Sequence, residues 1–451
     1  MKKHLFSLCA LAVSISLSAQ DTYQSIFQDV PGGGQIQALA GVTRIGDETY
    51  AGIRLQPELE FGKVGLGLNV PLLFNTQTGD LRTEEFKNGA GPLKLLGYAR
   101  YGKKKDDAIY LKVGDLTGTY LGFGGLVNNY SNSVSFERRK IGLEFDILVK
   151  KMFGLEAFYS DFNFASLNIL GLRPYVRPFG KTSIPIIKTT EIGLTYVTDR
   201  DQTLSQYNDA SGIVTQSDFL NKPFNAIGFD IGFTVVNTKI LRLTTFVQHS
   251  ILQENDNLKN EAKNTGDSYG AGNGTSIGAL ANIKVSGDFL RINSRLERLW
   301  YSDNYLPQFF DAIYEINKDG KLGSLISAEK QQGIYGSLAG TFAGKIKLGG
   351  ALLLPDNLSA TAPAYFRLDA SADNLAEKFN VRATYMKGGI TDLKDAIRID
   401  GTSLLNARLT YNVAKFIVAG VDYRWTFARD ENDKVKATSF VTPYFGVNIP
   451  L

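Results

Sequence analysis

From Tyr50 to Asn75 the chain alternates apolar and polar residues with a period of two. Ile53, Leu55, Pro57, Leu59 and Phe61 fall on one face, and Arg54, Gln56, Glu58 and Glu60 on the other. Successive side chains of a strand point to opposite sides, so the pattern predicts a β-strand. A tight turn at Phe61-Gly62-Lys63-Val64 follows. The return arm sets Val64, Leu66, Leu68, Val70, Leu72 and Phe74 against Gly65, Gly67 and Asn69. Each arm is about ten residues, the length a tilted strand needs to cross bilayer hydrocarbon. A hairpin of this kind fits a soluble barrel with its apolar face inward, or a membrane barrel turned inside out. Pro57 removes a ladder hydrogen bond in mid-arm, so a bulge or a local break is expected there.

The pattern recurs. Arg291, Asn293, Arg295 and Glu297 oppose Leu290, Ile292 and Leu296; Arg367 and Asp369 oppose Phe366 and Leu368. Asn406 and Arg408 oppose Leu405, Ala407, Leu409 and Tyr411, and Asp422 and Arg424 oppose Ala419, Val421, Tyr423 and Trp425. Tight turns fall near 102–107, 150–152, 238–239, 286–288, 343–345, 374–378 and 413–415. Longer polar links fall near 76–91, 200–224, 254–274, 303–331, 354–363, 388–402 and 429–437, without secondary-structure periodicity. Short and long links alternate, as in transmembrane barrels with short periplasmic turns and long outer loops. The arms number about 20, within 18–20. Over 163–190, Pro174, Pro178 and Pro185 argue against simple central strands. Aromatics gather at arm ends (Tyr101, Tyr196, Trp300, Tyr301, Tyr385, Tyr423, Trp425), as an interfacial girdle requires.

The amino terminus decides between the two orientations. Met1-Lys2-Lys3-His4 precedes an apolar run over Leu5–Leu17 and small residues at Ser16–Ala19, the layout of a cleavable signal peptide. Residues 1–19 are therefore expected to be a signal and 20–34 a short periplasmic leader. Residues 35–451 form one all-β, antiparallel, up-and-down transmembrane barrel in the cell outer membrane. Cys9 is the only cysteine and lies in that signal, which excludes disulfide scaffolds and thiolate chemistry. Without Lys2 and Lys3 the 49 basic residues become 47 against 45 acidic, a balance that gives no reason to invoke nucleic acid. Tyr (21), Phe (28) and Gly (46) are abundant while Met (3) and His (2) are scarce, which suits a barrel in lipid. The carboxy-terminal arm alternates Val441, Pro443, Phe445, Val447 and Ile449 against Thr442, Tyr444, Gly446 and Asn448. It can close the ring, although it ends on Pro450-Leu451 rather than on the aromatic residue usual in outer-membrane barrels.

Two candidate sites emerge. The first is 116–132, the third outer loop, which is more apolar than a loop in water should be. It carries Tyr120, Leu121, Phe123, Leu126 and Val127, with Gly118, Gly122, Gly124 and Gly125 permitting sharp turns. Phe123-Gly124-Gly125 resembles the Phe-Gly-Gly stretch of the third loop in general porins, which folds inward and narrows the pore. That resemblance implies a constriction built from Tyr120, Phe123, Gly124 and Gly125. The alternative is a strand that runs on to Phe123 with lipid-facing side chains. Residues 110–133 (YLKVGDLTGTYLGFGGLVNNYSNS) also resemble a stretch of uncharacterised porin-like outer-membrane β-barrel proteins of the Bacteroidota, which implies a compartment and a lineage but no activity.

The second candidate is the inward charge set: Arg54, Glu58, Glu60, Arg100, Lys112, Arg291, Arg295, Glu297, Arg367, Asp369, Arg408, Asp422 and Arg424, joined by Lys140, Glu144, Glu191, Asp230, Arg242 and Arg382. Opposed acidic and basic rows set a transverse field that favours small polar solutes. The same residues, salt-bridged to one another, would only fill and stabilise the lumen. Enzymatic readings fare badly. The mature chain has one histidine, His249, on the face of Leu241, Leu243 and Val247, and Ser250 points the other way. No metal-binding spacing occurs, and Gly270–Gly274 lacks the Lys-Ser/Thr of a phosphate loop. No cofactor is implied. The function expected is a channel for passive diffusion of small polar solutes across outer-membrane lipid. A non-conducting accessory barrel of an outer-membrane complex is the alternative, and a transporter of apolar solutes ranks third. Homo-oligomerisation and complex partners stay open.

Overall fold

The computed structural model describes residues 35–45, 48–83, 91–105, 107–132, 140–162, 169–200, 203–204, 215–216, 222–285, 289–316, 318–392, 394–398, 403–429 and 435–450. The signal and leader, the cluster 137–139, residues 84–90 of the link 76–91, and most of the links at 200–224 and 429–437 lie outside the described residues. The ring runs β1 (Gln35–Ile45), β2 (Glu48–Phe61), β3 in two pieces (Val64–Leu68 and Val70–Asn75), β4 (Leu96–Tyr101), β5 (Ile109–Gly114), β6 (Gly142–Val149) and β7 (Phe153–Tyr159). It continues with β8 (Leu170–Val176), β9 (Glu191–Asp199), β10 (Phe224–Asn237), β11 (Leu241–Leu252), β12 (Gly272–Val285), β13 (Leu290–Tyr301) and β14 (Gln331–Phe342). The last staves are β15 (Ile346–Pro355), β16 (Ala364–Leu375), β17 (Phe379–Ile390), β18 (Ser403–Asn412), β19 (Ile417–Arg429) and β20 (Val435–Pro450). Each stave pairs antiparallel with its neighbours, and β1 pairs with β20 from Gln35↔Pro450 to Gly41↔Tyr444. The result is a closed antiparallel barrel of twenty strands.

Closure removes the exposed edges that open sheets must protect. The outside is apolar: Ile53, Leu72, Phe74, Ile109, Leu194, Phe229, Ile277, Leu296, Leu338, Leu348, Leu368 and Phe445 are all exposed. The intervening residues point inward and are mostly polar. An apolar exterior around a hydrogen-bonded ring is what lipid demands, since hydrocarbon cannot satisfy free backbone groups. The opening hairpin follows its predicted register, with Ile53 and Leu55 outside and Arg54 turned inward. Tyr101, Tyr196 and Trp300 reach the outer surface, but Tyr301 does not. It follows Trp300 on one strand, so it must face the opposite way, and it is buried against Tyr305.

The strand prolines share a solution. Pro57 pairs with Ile36 in an unbroken β1–β2 ladder, but the ladder to β3 skips from Leu55↔Val70 to Glu58↔Gly67. The register is the same on both sides of this gap, so the expected break is present on one side and there is no bulge. Pro174 pairs with Leu155, while the β8–β9 ladder skips Arg173 and Pro174. Pro443 pairs with Val421 just beyond the point where the β1 ladder stops at Tyr444. A residue without an N–H fits where one of its two ladders is absent. The expectation that Pro174 argues against a central strand is thereby corrected: β8 lies between β7 and β9.

The link 254–274 also departs from expectation, because it holds a helix, α1 (Asp256–Thr265). Asn255 caps it, its side chain accepting from the N–H groups of Asn257 (2.9 Å) and Leu258 (3.2 Å), and Gly266 ends it at φ 82°. Leu258 and Ala262, one turn apart, bury themselves in the apolar core at this end of the barrel. A second helix, α2 (Lys318–Ser327), sits in 303–331 and adds Leu322 and Leu325 to the same core.

Candidate functional site

Residues 116–132 leave the wall after β5 and fold into the lumen. The loop closes on itself through Leu116–Asn132 and Thr119–Tyr130 backbone bonds. Leu116, Leu121, Phe123, Leu126, Val127 and Tyr130 are buried. Strand β5 stops at Gly114, so these side chains are not a lipid-facing extension of it. Phe123 stacks flat on Phe246 of β11 at 4.7 Å, and Arg295 of β13 donates to the Phe123 carbonyl. Val127 makes a parallel bridge with Phe310, and Asn128 donates to Gln308 (2.9 Å) and Tyr335 (3.1 Å). The gaps left beneath the loop are small. One of about 30 Å³ is lined by Tyr120, Phe123 and Arg295, and one of about 10 Å³ by Gly125, Gln248 and Glu297. The smaller is near the minimum that holds one water.

A buried ionic network holds the loop from below. Arg173, fully buried on β8, donates to Glu156 (2.8 Å) and Glu191 (2.9 Å), and pairs in bidentate fashion with Asp230 (2.8 and 2.5 Å). The other oxygen of Glu156 accepts from the Gly122 N–H at 3.0 Å. Gly122 has φ 57°, and a Cβ there would lie 2.6 Å from Arg173 Nε, so only glycine fits. The short turn 102–107 reaches into the same network. Lys105 Nζ meets Glu156 and Glu191, and Lys104 Nζ donates to Glu144 (2.7 Å) and to the Tyr120 carbonyl (2.5 Å). A turn from one end of the barrel therefore touches a loop from the other. On β11–β13, Gln248 and Ser276 both donate to Glu297 (2.8 and 2.7 Å), which also accepts from Arg295 (2.5 Å).

At the wide-loop end an apolar core seals this side. Phe309, Phe310, Tyr314 and Leu322 pack on Leu126, Val127, Tyr130, Phe158 and Phe224. Two phenols anchor it: Tyr130 donates to Glu315, and Tyr314 to Asp199 at 2.7 Å. Burial, with Glu315 beside one and Asp199 beside the other, pushes both hydroxyls well above the ordinary tyrosine range, so they remain donors.

The predicted inward charges divide by position. Lys112, Arg291, Glu297, Arg367 and Asp369 are buried, and Arg367 pairs with Asp369 at 2.5 Å. Arg54, Glu58, Glu60, Arg100, Arg295, Arg408 and Asp422 are partly exposed. Glu60 bonds Arg100 at 2.7 Å, and Arg408 holds Asp422 through two nitrogens at 2.8 and 2.5 Å. The Arg424 side chain lies outside the described residues. Acidic and basic residues thus pair along the wall rather than facing each other across the lumen as opposed rows. The sequence reading missed Arg173 and Glu156, hidden in the proline-marked stretch and on an apolar strand, and it took Lys104 and Lys105 for ordinary turn residues. The signal available was a Lys-Lys-Lys run in a turn of only a few residues. His249 faces outward, its Nδ1 2.8 Å from Thr275 Oγ1, while Ser250 is buried inside.

No protein-family model matches the sequence, and no curated protein is similar to it in sequence. Solved structures with remote likeness include Wzi of Escherichia coli, an outer-membrane carbohydrate-binding β-barrel involved in group 1 capsule assembly, at 12% identity and a TM-score of 0.35, covering 93% of this chain and 84% of that one. OccK11 (OpdR) of Pseudomonas aeruginosa is similar at 13% identity, TM-score 0.35, over 93% and 96% of the two chains. The ferric enterobactin receptor PfeA of the same organism is similar at 7% identity, TM-score 0.37, over 92% and 81%. Such likenesses are too remote to bear on activity.

Proposed function

We propose that the protein is an outer-membrane channel for passive diffusion of small polar solutes, narrowed by the loop 116–132. Residues 1–19 act as its export signal and 20–34 as a periplasmic leader, in a lineage resembling that of the Bacteroidota. One observation carries the reading. From β18 round to β4 the described inward charged side chains keep solvent access inside a closed ring, with Arg408 at 23%, Glu60 at 25%, Arg100 at 22% and Asp422 at 14% exposed. Across the lumen, Arg173 and Glu156 have none. Water therefore reaches one side of the interior, and the loop and its network fill the other.

A second reading, a non-conducting accessory barrel of a larger outer-membrane complex, draws on the apolar core that seals part of the wide-loop end. Planar-bilayer recording of the purified, folded protein separates the two. Conductance steps are expected; a silent barrel would overturn the channel and favour the accessory role. Export is tested by sequencing the amino terminus of the mature protein.

A further inference from the structure

The open side of the lumen carries an uneven row of charge. The strand registers place Lys347, Ser371, Arg382, Arg408, Asp422 and Thr442 side by side across β15 to β20: Lys347↔Ser371, Ser371↔Arg382, Arg382↔Arg408, Arg408↔Asp422 and Asp422↔Thr442. All six lie on the inward face. Three cations share this row with one carboxylate, which Arg408 holds in a bidentate grip, and the carboxylate of Glu58 on β2 lies near both arginines from outside the row. Arg382 stands directly opposite Arg408. Like charges directly opposite on neighbouring strands repel, so the placement costs stability. Asp373, on the neighbouring strand β16, is 3.8 Å from Arg382 and itself 43% exposed. Arg382 is 20% exposed on its side chain and Arg408 23%, so water reaches both.

On the filled side the cations are tied down: Arg173 is surrounded by Glu156, Glu191 and Asp230, with Lys105 on the first two. We propose that the row around Arg382 and Arg408 is a specificity-determining anion strip of the channel. It favours small solutes that carry a carboxylate or phosphate group. An anionic oxygen group seated between two guanidinium planes accepts from both and relieves their repulsion. This deepens the channel reading and rests on it.

The test uses the full-length mature protein in planar bilayers under a KCl gradient. Wild type is expected to pass chloride in preference to potassium. Arg382→Gln lowers the chloride-to-potassium permeability ratio by about fivefold, the weight of one unit charge at ~4 Å in water. Arg382→Lys, which keeps the charge, keeps the preference, and Lys222→Gln in an outer link changes nothing. Millimolar inorganic phosphate should block the wild-type chloride current and not that of Arg382→Gln. Heat-modifiable gel mobility checks that each variant is folded. A potassium preference in wild type, or an unchanged ratio and unchanged phosphate block in Arg382→Gln, overturns the anion strip while leaving the channel standing. A folded barrel without conductance steps overturns the channel itself, and the strip with it.

Discussion

The two sides of this lumen are built from the same residue types and do opposite things with them. On the filled side Glu144, Glu156, Arg173, Glu191 and Asp230 are dry, bonded to one another or to nearby lysines, and tied to an inward loop; on the other side Glu60, Arg100, Arg408 and Asp422 are partly exposed and paired with a neighbour. Burying Arg173 with three carboxylates costs several kcal/mol of desolvation per ion, which good geometry only recovers. The wet pairs are each worth at most about 1 kcal/mol. Buried charge is therefore a poor source of stability here, and its return is position: the network fixes where the loop backbone runs. Wet charge fixes no loop in place and keeps its contact with water.

That contrast can be broken in order of effect. Excising 118–130 and bridging the ends removes what fills one side, and single-channel conductance should rise about twofold or more, since a barrel of this strand number has an open lumen unless a loop occupies it. Unchanged conductance would show that the loop does not narrow the path. Arg173→Met takes the bidentate partner from buried Asp230 and one of the cations from Glu156 and Glu191, and should cost about 3–5 kcal/mol in denaturant unfolding of the detergent-folded barrel. Gly122→Ala forces a Cβ against Arg173 at positive φ, and the expected loss is about 1–3 kcal/mol, with faster amide exchange confined to 116–132. Arg408→Gln on the wet side should cost under about 1 kcal/mol by the same unfolding measurement. An equal loss for Arg173→Met and Arg408→Gln would erase the distinction between the sides.

Much of the barrel was legible in the sequence, because a strand's period of two is a local property that needs no partner. The hairpin over Tyr50–Asn75, the alternation of short and long links and the inward direction of Arg408 all follow from it. The apolar loop 116–132 stood out for the same local reason. Arg173 did not. Its partners Glu156, Glu191 and Asp230 come from three other staves, and a long-range pairing leaves no mark on the local pattern. Helix α1 was legible and was overlooked: Asn255 as cap, Leu258 and Ala262 one turn apart, and Gly266 at the end are its signature. Tyr301 shows the limit of reading aromatics by position along a strand, since two consecutive rings cannot both meet lipid.

The contacts of the inward loop also set an order of assembly. Its bonds to Arg295 and Tyr335 join residues 172 and 207 positions apart. They cannot form until β13 and β14 have been inserted. Before that, Phe123 can already stack on Phe246 of β11 and Gly122 can reach Glu156 of β7, but Val127 and Asn128 lack Phe310, Gln308 and Tyr335. The loop is thus fastened in two stages, and a chain stalled before β13 would carry it half-seated.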